Sequence, residues 1–577
     1  MTDTTDDVKY RKRITRIFFL FLTIFMLFSL FSSELVFSQS KYEFTFKVDL
    51  SKLIDKKIFN RDNGDVVVFL ANFNNWESDT LAFEKIENRS IYTKTYLREE
   101  IDTDTILYKY KIIRSDGYQF LEYDSEKYFV NGNRIFIIND NLSSPRMISF
   151  SIQEKEFYNK IKISPDELRY DLTMLRDSLE HIHPSLYEFT DKSKFDSLFA
   201  YVNDQLDHPM SNLEFYKLVR KIISKIGCLH TSIFVPKYYW TNNPDRILPL
   251  QLYFGKSETF IVNCFNENHT IPPGSIVVSI NGVSMNIIRT KLMENYPADG
   301  FNEGYRRFML NMLFPDFYAI YYGFPDEFKI EYRSRVTNLF DKVVLKPVSI
   351  YDLTYFGSLG PDFSFEALEI HNVGVLKINN FMFYQEKKRK VFYSFIDSVF
   401  KKIHEDGIEN LILDIRGNSG GDPLSAAYLF THLINHPVKY FAETYDEEYV
   451  PLAKSMPVSE NRFGGNIFVL INSRCVSTAG HLAALLKYHK IGTLIGTETG
   501  SNYKCFSGQR RLTLTNSQLR INISTTTFEV EVNGMKNNHG VQPDYYIEST
   551  IDDVLNGNDN IMQSTIDMIR NLTFPGN

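Results

Sequence analysis

The stretch INSRCVSTAGHLAALL, residues 471–486, passes from a β-rich run into a helical one, with Ser477 near the junction. Upstream, NLILDIRGNSGGDPLSAAYLF, residues 410–430, repeats the order: a strand, a Gly-rich turn at Gly420 and Gly421, then a helix. Apolar runs of strand length alternating with runs at helical spacing predict an α/β core. Together the two segments suggest a hydroxyl brought beside a bed of backbone amides. That combination suits acyl transfer, and peptide hydrolysis before other acyl chemistry. A serine between apolar residues is usually structural, so the reading depends on its company.

Working outward, the alternation begins near residue 371 with NVGVLKI and a long helix around YSFIDSVFKKIHEDG, and continues through LILDI, AAYLFTHLI, NIFVLI and HLAALLKYH. INISTTTFEVEV and QPDYYI add late strands, and a last helix around NIMQSTIDMIR packs on the core. This sets a core domain at 371–577. Residues 164–246 read as helices: PDELRYDLTMLRDSLEHI, FDSLFAYVNDQL and NLEFYKLVRKIISKI all carry helical periodicity. Ser164 fits an N-cap and Pro165 the first helical position. The module runs into GCLHTSIFVP, which carries His230. Residues 247–350 turn to short β-runs with Gly-bearing turns, among them GSIVVSINGVSM. Residues 41–148 alternate as strands (KYEFTFKVDL, DVVVFLANF, IYTKTYL, ILYKYKII) between NGD, NNW and NGN turns. The expected architecture is therefore multidomain, α+β and α/β.

At 577 residues the chain has room for about three or four domains. A net charge of −7 gives no reason to expect nucleic-acid binding. Lys9, Arg11, Lys12, Arg13 and Arg16 precede the apolar run IFFLFLTIFMLFSLF, and Val36 and Ser38 permit cleavage before Gln39. Residues 1–38 thus read as a secretory signal or, uncleaved, as a membrane anchor. Either way the bulk of the chain is expected to be exported: periplasmic, envelope-associated or secreted. Cys228, Cys264, Cys475 and Cys505 are too few and too scattered for a disulfide scaffold, although export permits one or two bridges. No cysteine pair has zinc-ribbon spacing, and His181 and His183 lack other local ligands. No catalytic metal and no organic cofactor are expected.

The chain resembles the S41 family of C-terminal-processing, or tail-specific, serine peptidases, over roughly residues 164–577. HIHPSLYEF, CLHTSIFVP, GSIVVSINGVS, LILDIRGNSGG, INSRCVSTAG, IGTETG and HGVQPDYYI carry the resemblance, all in the family's order. The likeness is nearest to the tricorn-like Ser–His branch. It implies Ser477 as nucleophile and His230 as the base that takes its proton and returns it to the leaving amine. It further implies an oxyanion hole from the amide of Gly421, or of Gly420, with that of Thr478. GSIVVSINGVS resembles the closing turn and strand of a PDZ-like peptide-binding domain, whose sheet edge would receive an extended or unfolded polypeptide. VVVFLANFNNW resembles early-set β-sandwiches related to glycogen- and starch-binding modules; Trp76 would be its sugar-stacking residue, though such aromatics more often fill a core.

Two departures bear on the mechanism. The processing branch pairs its serine with a lysine, a position that falls near Asn502 here; Lys504, two residues on, would serve as base only if the turn shifted. In the tricorn-like branch a serine precedes the histidine and a glutamate supports it, whereas this chain has Leu229 and Asn537 at those positions. Asn537 can orient an imidazole but brings no charge, and Glu498 and His539 are alternative supports. The main expectation is an exported serine endopeptidase acting through a Ser477 acyl-enzyme. Two other readings stay open: a noncatalytic peptide- or glycan-binding envelope protein on the same fold, and a different acyl hydrolase such as an esterase.

Overall fold

The computed structural model describes residues 162–573, apart from 236–238, 240–244, 266–270, 354–359, 369–371 and 445, together with β-strands and a few further residues between 42 and 151. Residues 1–157 and 158–577 form two compact units. The basic and apolar N-terminal segment and Trp76 lie outside the described residues. Among those described, no helix is long and apolar enough to cross a membrane.

Among the described residues, the first unit carries two sheets. One has the order Glu84–Lys85, Ile91–Arg98, Tyr42–Asp49, Arg146–Ser151. Its second and third strands pair antiparallel and its last two run parallel. The other has the order Val66–Ala71, Thr105–Ile113, Asn133–Ile137, Phe129–Val130, with Gln119–Leu121 also on Thr105–Ile113.

In the second unit, alternation along the strands decides the layering. A six-stranded sheet runs Phe363–Leu368, Val373–Ile378, Asn410–Asp414, Asn466–Ile471, Thr493–Gly496, Tyr545–Tyr546, each strand beside the next in sequence. The first pair is antiparallel and the others parallel. Leu411, Leu413, Val469 and Ile471 face one side, in a core with residues of the helices Glu386–Glu405, Pro423–Thr431 and Thr478–Tyr488. Ile412, Phe468, Leu470 and Ile495 face the other, with Ile561 and Ile569 of the helix Asn560–Thr573. Successive side chains of a strand point to opposite faces, so a strand covered on both is apolar through its middle, here Leu411, Ile412 and Leu413. All five residues of Asn410–Asp414 are buried.

A second sheet of six strands follows the order Leu250–Phe254, Thr259–Cys264, Ile276–Ile280, Phe328–Arg333, Phe340–Leu345, with Val283–Ser284 on the third. A bridge from Ile247 to Val348 ties together the segments flanking its two outer strands. Its apolar face shares one core with the helices Pro165–Ile182, Lys192–Asp204 and Asn212–Lys225 and with the late hairpin. Ser164 caps the first helix with a reciprocal capping box to Glu167, and Pro165 opens it, as the sequence predicts.

That hairpin, Lys504–Thr513 with Arg520–Val530, also brings distant residues together. The three-residue strand Ser232–Phe234 pairs with it through Ser232 opposite Asn522 and Phe234 opposite Arg520. The segment just before Ser232 is thereby carried to the core. Arg220, buried and stacked near the rings of Tyr216, Tyr296 and Phe317, donates Nε–H to the Asn295 carbonyl at 2.7 Å. This anchors the chain just ahead of Asp299.

Candidate active site

Ser477 is the N-cap of the helix Thr478–Tyr488, with φ 53° and ψ −126°. A non-glycine residue at positive φ is held there only when its surroundings over-determine it. Three contacts do so. The Ser477 N–H donates to Ser501 Oγ at 2.8 Å, the Gly500 N–H donates to the Cys475 carbonyl at 2.9 Å, and Cys475 Sγ lies 3.0 Å from the Ile415 carbonyl. The result is a strand, a sharp turn and a helix, with a half-buried serine at the turn.

The Gly-rich turn lies directly against this one. A Cβ on Gly420, at φ +84°, would stand 2.7 Å from the Val476 carbonyl oxygen, 2.8 Å from Ser477 Cβ and 3.0 Å from the Thr478 nitrogen. Only a residue without a side chain fits there. Thr478 Oγ1 donates to the Gly421 carbonyl at 2.6 Å, and the Phe381 N–H donates to the Gly420 carbonyl at 2.9 Å. The Gly420 N–H is already taken by Asn418 Oδ1 at 2.8 Å. Among the described residues, the N–H groups of Gly421 and Thr478 have no acceptor. Thr478 is the first residue of its helix, where amides lack intrahelical partners and the helix dipole favours negative charge. Arg416 anchors the base of the turn, forked onto Asp414 and, at 2.7 Å for each oxygen, onto Asp559.

His230 stands in the loop between the helix Asn212–Lys225 and the strand Ser232–Phe234 and is half-buried. Its Nδ1 is buried with no hydrogen-bond partner. Asp299, 9% exposed, has a carboxylate oxygen within 4.8 Å of a His230 ring nitrogen and of Cys228 Sγ. Asp299 accepts from the Leu229 N–H at 2.9 Å and from Ser501 Oγ–H at 2.5 Å. Ser501 therefore joins the backbone of Ser477 to the carboxylate that faces His230. Burial holds the His230 imidazole below its ordinary 6.5, while the Asp299 charge pulls the other way. Burial raises the Asp299 carboxyl, opposed by His230 and the two hydrogen bonds.

The buried Cys505 thiol lies 3.3 Å from Nε2 of His481, on the helix that Ser477 caps. Burial drives this thiol well above its usual range. Among the described residues no hydrogen bond joins Ser477 to His230.

The remaining residues singled out from sequence gather in other places. Lys504 Nζ lies 2.8 Å from both carboxylate oxygens of Glu188, and Asn537 Nδ2 donates to Glu188 Oε1 at 2.9 Å. Glu498 accepts from the Gly540 N–H at 2.7 Å, with His539 Nδ1 at 3.6 Å. The four cysteines are free thiols, all buried except Cys264. Asp299, Ser501, Cys505 and His481 were not among the sequence candidates. Asp299 and Ser501 lie in loops with no periodicity, His481 and Cys505 sit as core positions of a helix and a strand, and only folding brings the four together.

Residues 372–547 match the family described as Peptidase family S41. No curated protein matches the chain. Among solved structures, mature CPAF is similar at 12% identity and TM-score 0.50, over 71% of this chain and 98% of its own. The tricorn protease is similar at 13% identity and TM-score 0.36, over 83% of this chain and 42% of its own. The photosystem II D1 C-terminal processing protease is similar at 14% identity and TM-score 0.34, over 66% and 92%. At such identities the likeness to mature CPAF is one of fold. The match over residues 372–547 supports classing the chain as a serine-type peptidase, a hydrolase.

Proposed function

We propose that the chain is an exported endopeptidase in which Ser477 attacks the scissile carbonyl and His230 accepts its proton. One observation carries this reading: Ser477 sits strained at a helix N-terminus, beside two backbone amides, of Gly421 and Thr478, that have no acceptor. Donors fixed where negative charge develops lower an acyl-transfer barrier by about 3–4 kcal/mol each. Asp299, rather than a residue near Asn537, is the carboxylate that would orient His230 and stabilise the imidazolium. The substrate is an extended or unfolded polypeptide. The sheet of residues 250–345 would act as a PDZ-like recognition module, and its outer strand Phe340–Leu345 begins with an exposed Phe340. The first unit serves as an early-set β-sandwich, spacing the peptidase from the envelope or contacting glycan. The Ser–His assignment follows the tricorn-like branch.

A binding role without catalysis draws on one observation: among the described residues no hydrogen bond joins Ser477 to His230, whose Nδ1 has no partner. Labelling of the signal-free chain with a fluorophosphonate, resolved by mass, separates the two. Modification at Ser477 that is lost in Ser477→Ala and falls sharply in His230→Ala is the expected result. No modification of a folded wild-type chain would reject the peptidase mechanism and leave the binding role.

A further inference from the structure

Cys228 plays no part in the proteolytic scheme, yet its sulfur lies beside the base. Cys228 Sγ, a ring nitrogen of His230 and an Asp299 oxygen all fall within 4.8 Å of one another. Cys228 and His230 are separated by one residue, so a single loop delivers both, and Asp299 comes from a distant segment fastened to that loop through the Leu229 N–H. We infer that Cys228, His230 and Asp299 form a binding site for a thiophilic divalent cation, zinc in the first instance, that switches the catalytic base off.

Three observations support the site besides proximity. Thiolate, imidazole and carboxylate are the three side-chain types zinc prefers, held about 2.0–2.3 Å from the ion, and side-chain rotation can close the present separation onto it. The buried His230 Nδ1 has no hydrogen-bond partner, so no existing bond has to break for it to take the ion. The sulfur and the carboxylate already have outer partners: the Thr231 N–H reaches Cys228 Sγ at 3.3 Å, Ser524 Oγ lies 3.3 Å from the same atom, and Ser501 holds Asp299. Such partners fix the orientation of ligating groups. Charge also balances. The thiol gives up one proton to solvent as it binds, and Zn²⁺ with one thiolate, one carboxylate and a neutral imidazole sums to zero, which suits a buried position.

Inhibition follows from the tautomer. As general base, His230 must present an unprotonated Nε2 to Ser477 and carry its proton on Nδ1, facing Asp299. A cation on Nδ1 moves that proton to Nε2, so the ring can no longer accept one from the serine. The ion also takes the Asp299 charge that would stabilise the imidazolium.

This inference uses the proposed role of His230 only for its effect on activity, and binding is read separately. The full signal-free chain is titrated with Co²⁺, watching for the thiolate-to-cobalt charge-transfer band, and with Zn²⁺ by competition against a chromophoric chelator. Fluorophosphonate labelling is followed in parallel, with and without Zn²⁺. The expected result is one equivalent bound, a cobalt–thiolate band, and labelling slowed at least tenfold by saturating Zn²⁺. Cys228→Ser should lose the band and weaken Zn²⁺ by more than the roughly 10–100-fold that outer partners alone cost. The same variant, in chelator, should label at near the wild-type rate. Cys228→Ala, with its fold checked by circular dichroism, repeats the test without a hydroxyl. Undiminished Zn²⁺ affinity in both variants, or a cobalt complex without the thiolate band, overturns the site. If wild type binds zinc through Cys228 but never labels in chelator, the site stands and the peptidase reading fails.

Discussion

In the proposed mechanism Asp299 and His230 would divide the work of a base between a charge and a ring, and their burial would decide at what pH the pair operates. Burial keeps His230 below 6.5, so the neutral ring that accepts a proton persists into mildly acidic solution. The rate of Ser477 acylation should rise with pH through that lowered pKa and then stay level. The Asp299 charge raises the His230 pKa. Asp299→Asn should therefore move the acid limb to still lower pH, while the plateau falls by roughly 10²–10⁴-fold through loss of imidazolium stabilisation. A pH profile of fluorophosphonate labelling or peptide hydrolysis reads both quantities. A plateau lowered with no shift of the limb would mean Asp299 is a packing residue with no electrostatic hold on His230.

Two turns, one ending each of two parallel strands, make up the proposed oxyanion side of the site, and their closeness is a property of the elements. Gly420 has φ +84°, and a Cβ added there would stand closer than ordinary contact distance to Val476, Ser477 and Thr478. Gly420→Ala must bend one turn away from the other, which costs about 1–3 kcal/mol in backbone strain and displaces the Gly421 amide from Thr478. Urea unfolding should show a modest loss of stability, and acylation should fall much further than that loss predicts. Equal losses would make the glycine a packing requirement alone. These strands and helices were legible in the sequence, because a strand buried on both faces is apolar through its middle and a covering helix repeats at its own period. Ser477, Gly420, Gly421 and Thr478 were legible with them, since they sit at junctions between periods. The delivery of His230 was less so: three residues, Ser232–Phe234, pair with a strand nearly three hundred positions later. Asp299 was not legible at all. It lies in a loop without periodic pattern, and its importance comes from Leu229 and Ser501, neither near it in sequence. Asn537, chosen by analogy, instead donates to Glu188.

The same burial that tunes the site sets the acid tolerance of the whole second unit. His183, 6% exposed beside Phe506, is held by burial down to about 4, against the pull of Glu188. His481, 2% exposed, is lowered to about 3, first by burial and then by the charge of His230. Each has one ring nitrogen buried without a partner, His183 Nε2 and His481 Nδ1, so neither ring has a full set of acceptors for a cation. Folding therefore favours the neutral form. In the unfolded chain both titrate near 6.5, so below that pH the unfolded state binds more protons than the folded one. The stability they contribute is complete above about 6.5 and is lost as pH falls toward 4 for His183 and 3 for His481, at about 1.4 kcal/mol per pH unit for each. Urea midpoints measured from pH 7.5 down to 5 should fall steadily below 6.5. Because carboxylates with their own partners also gain protons toward the acid end, the decisive quantity is the difference between wild type and His183→Gln. That variant is expected to be less stable at pH 7.5, because it disturbs a packed ring, and to lose less on acidification. Parallel curves for the two proteins would show that His183 carries no proton linkage, and the acid sensitivity would then belong to the carboxylates.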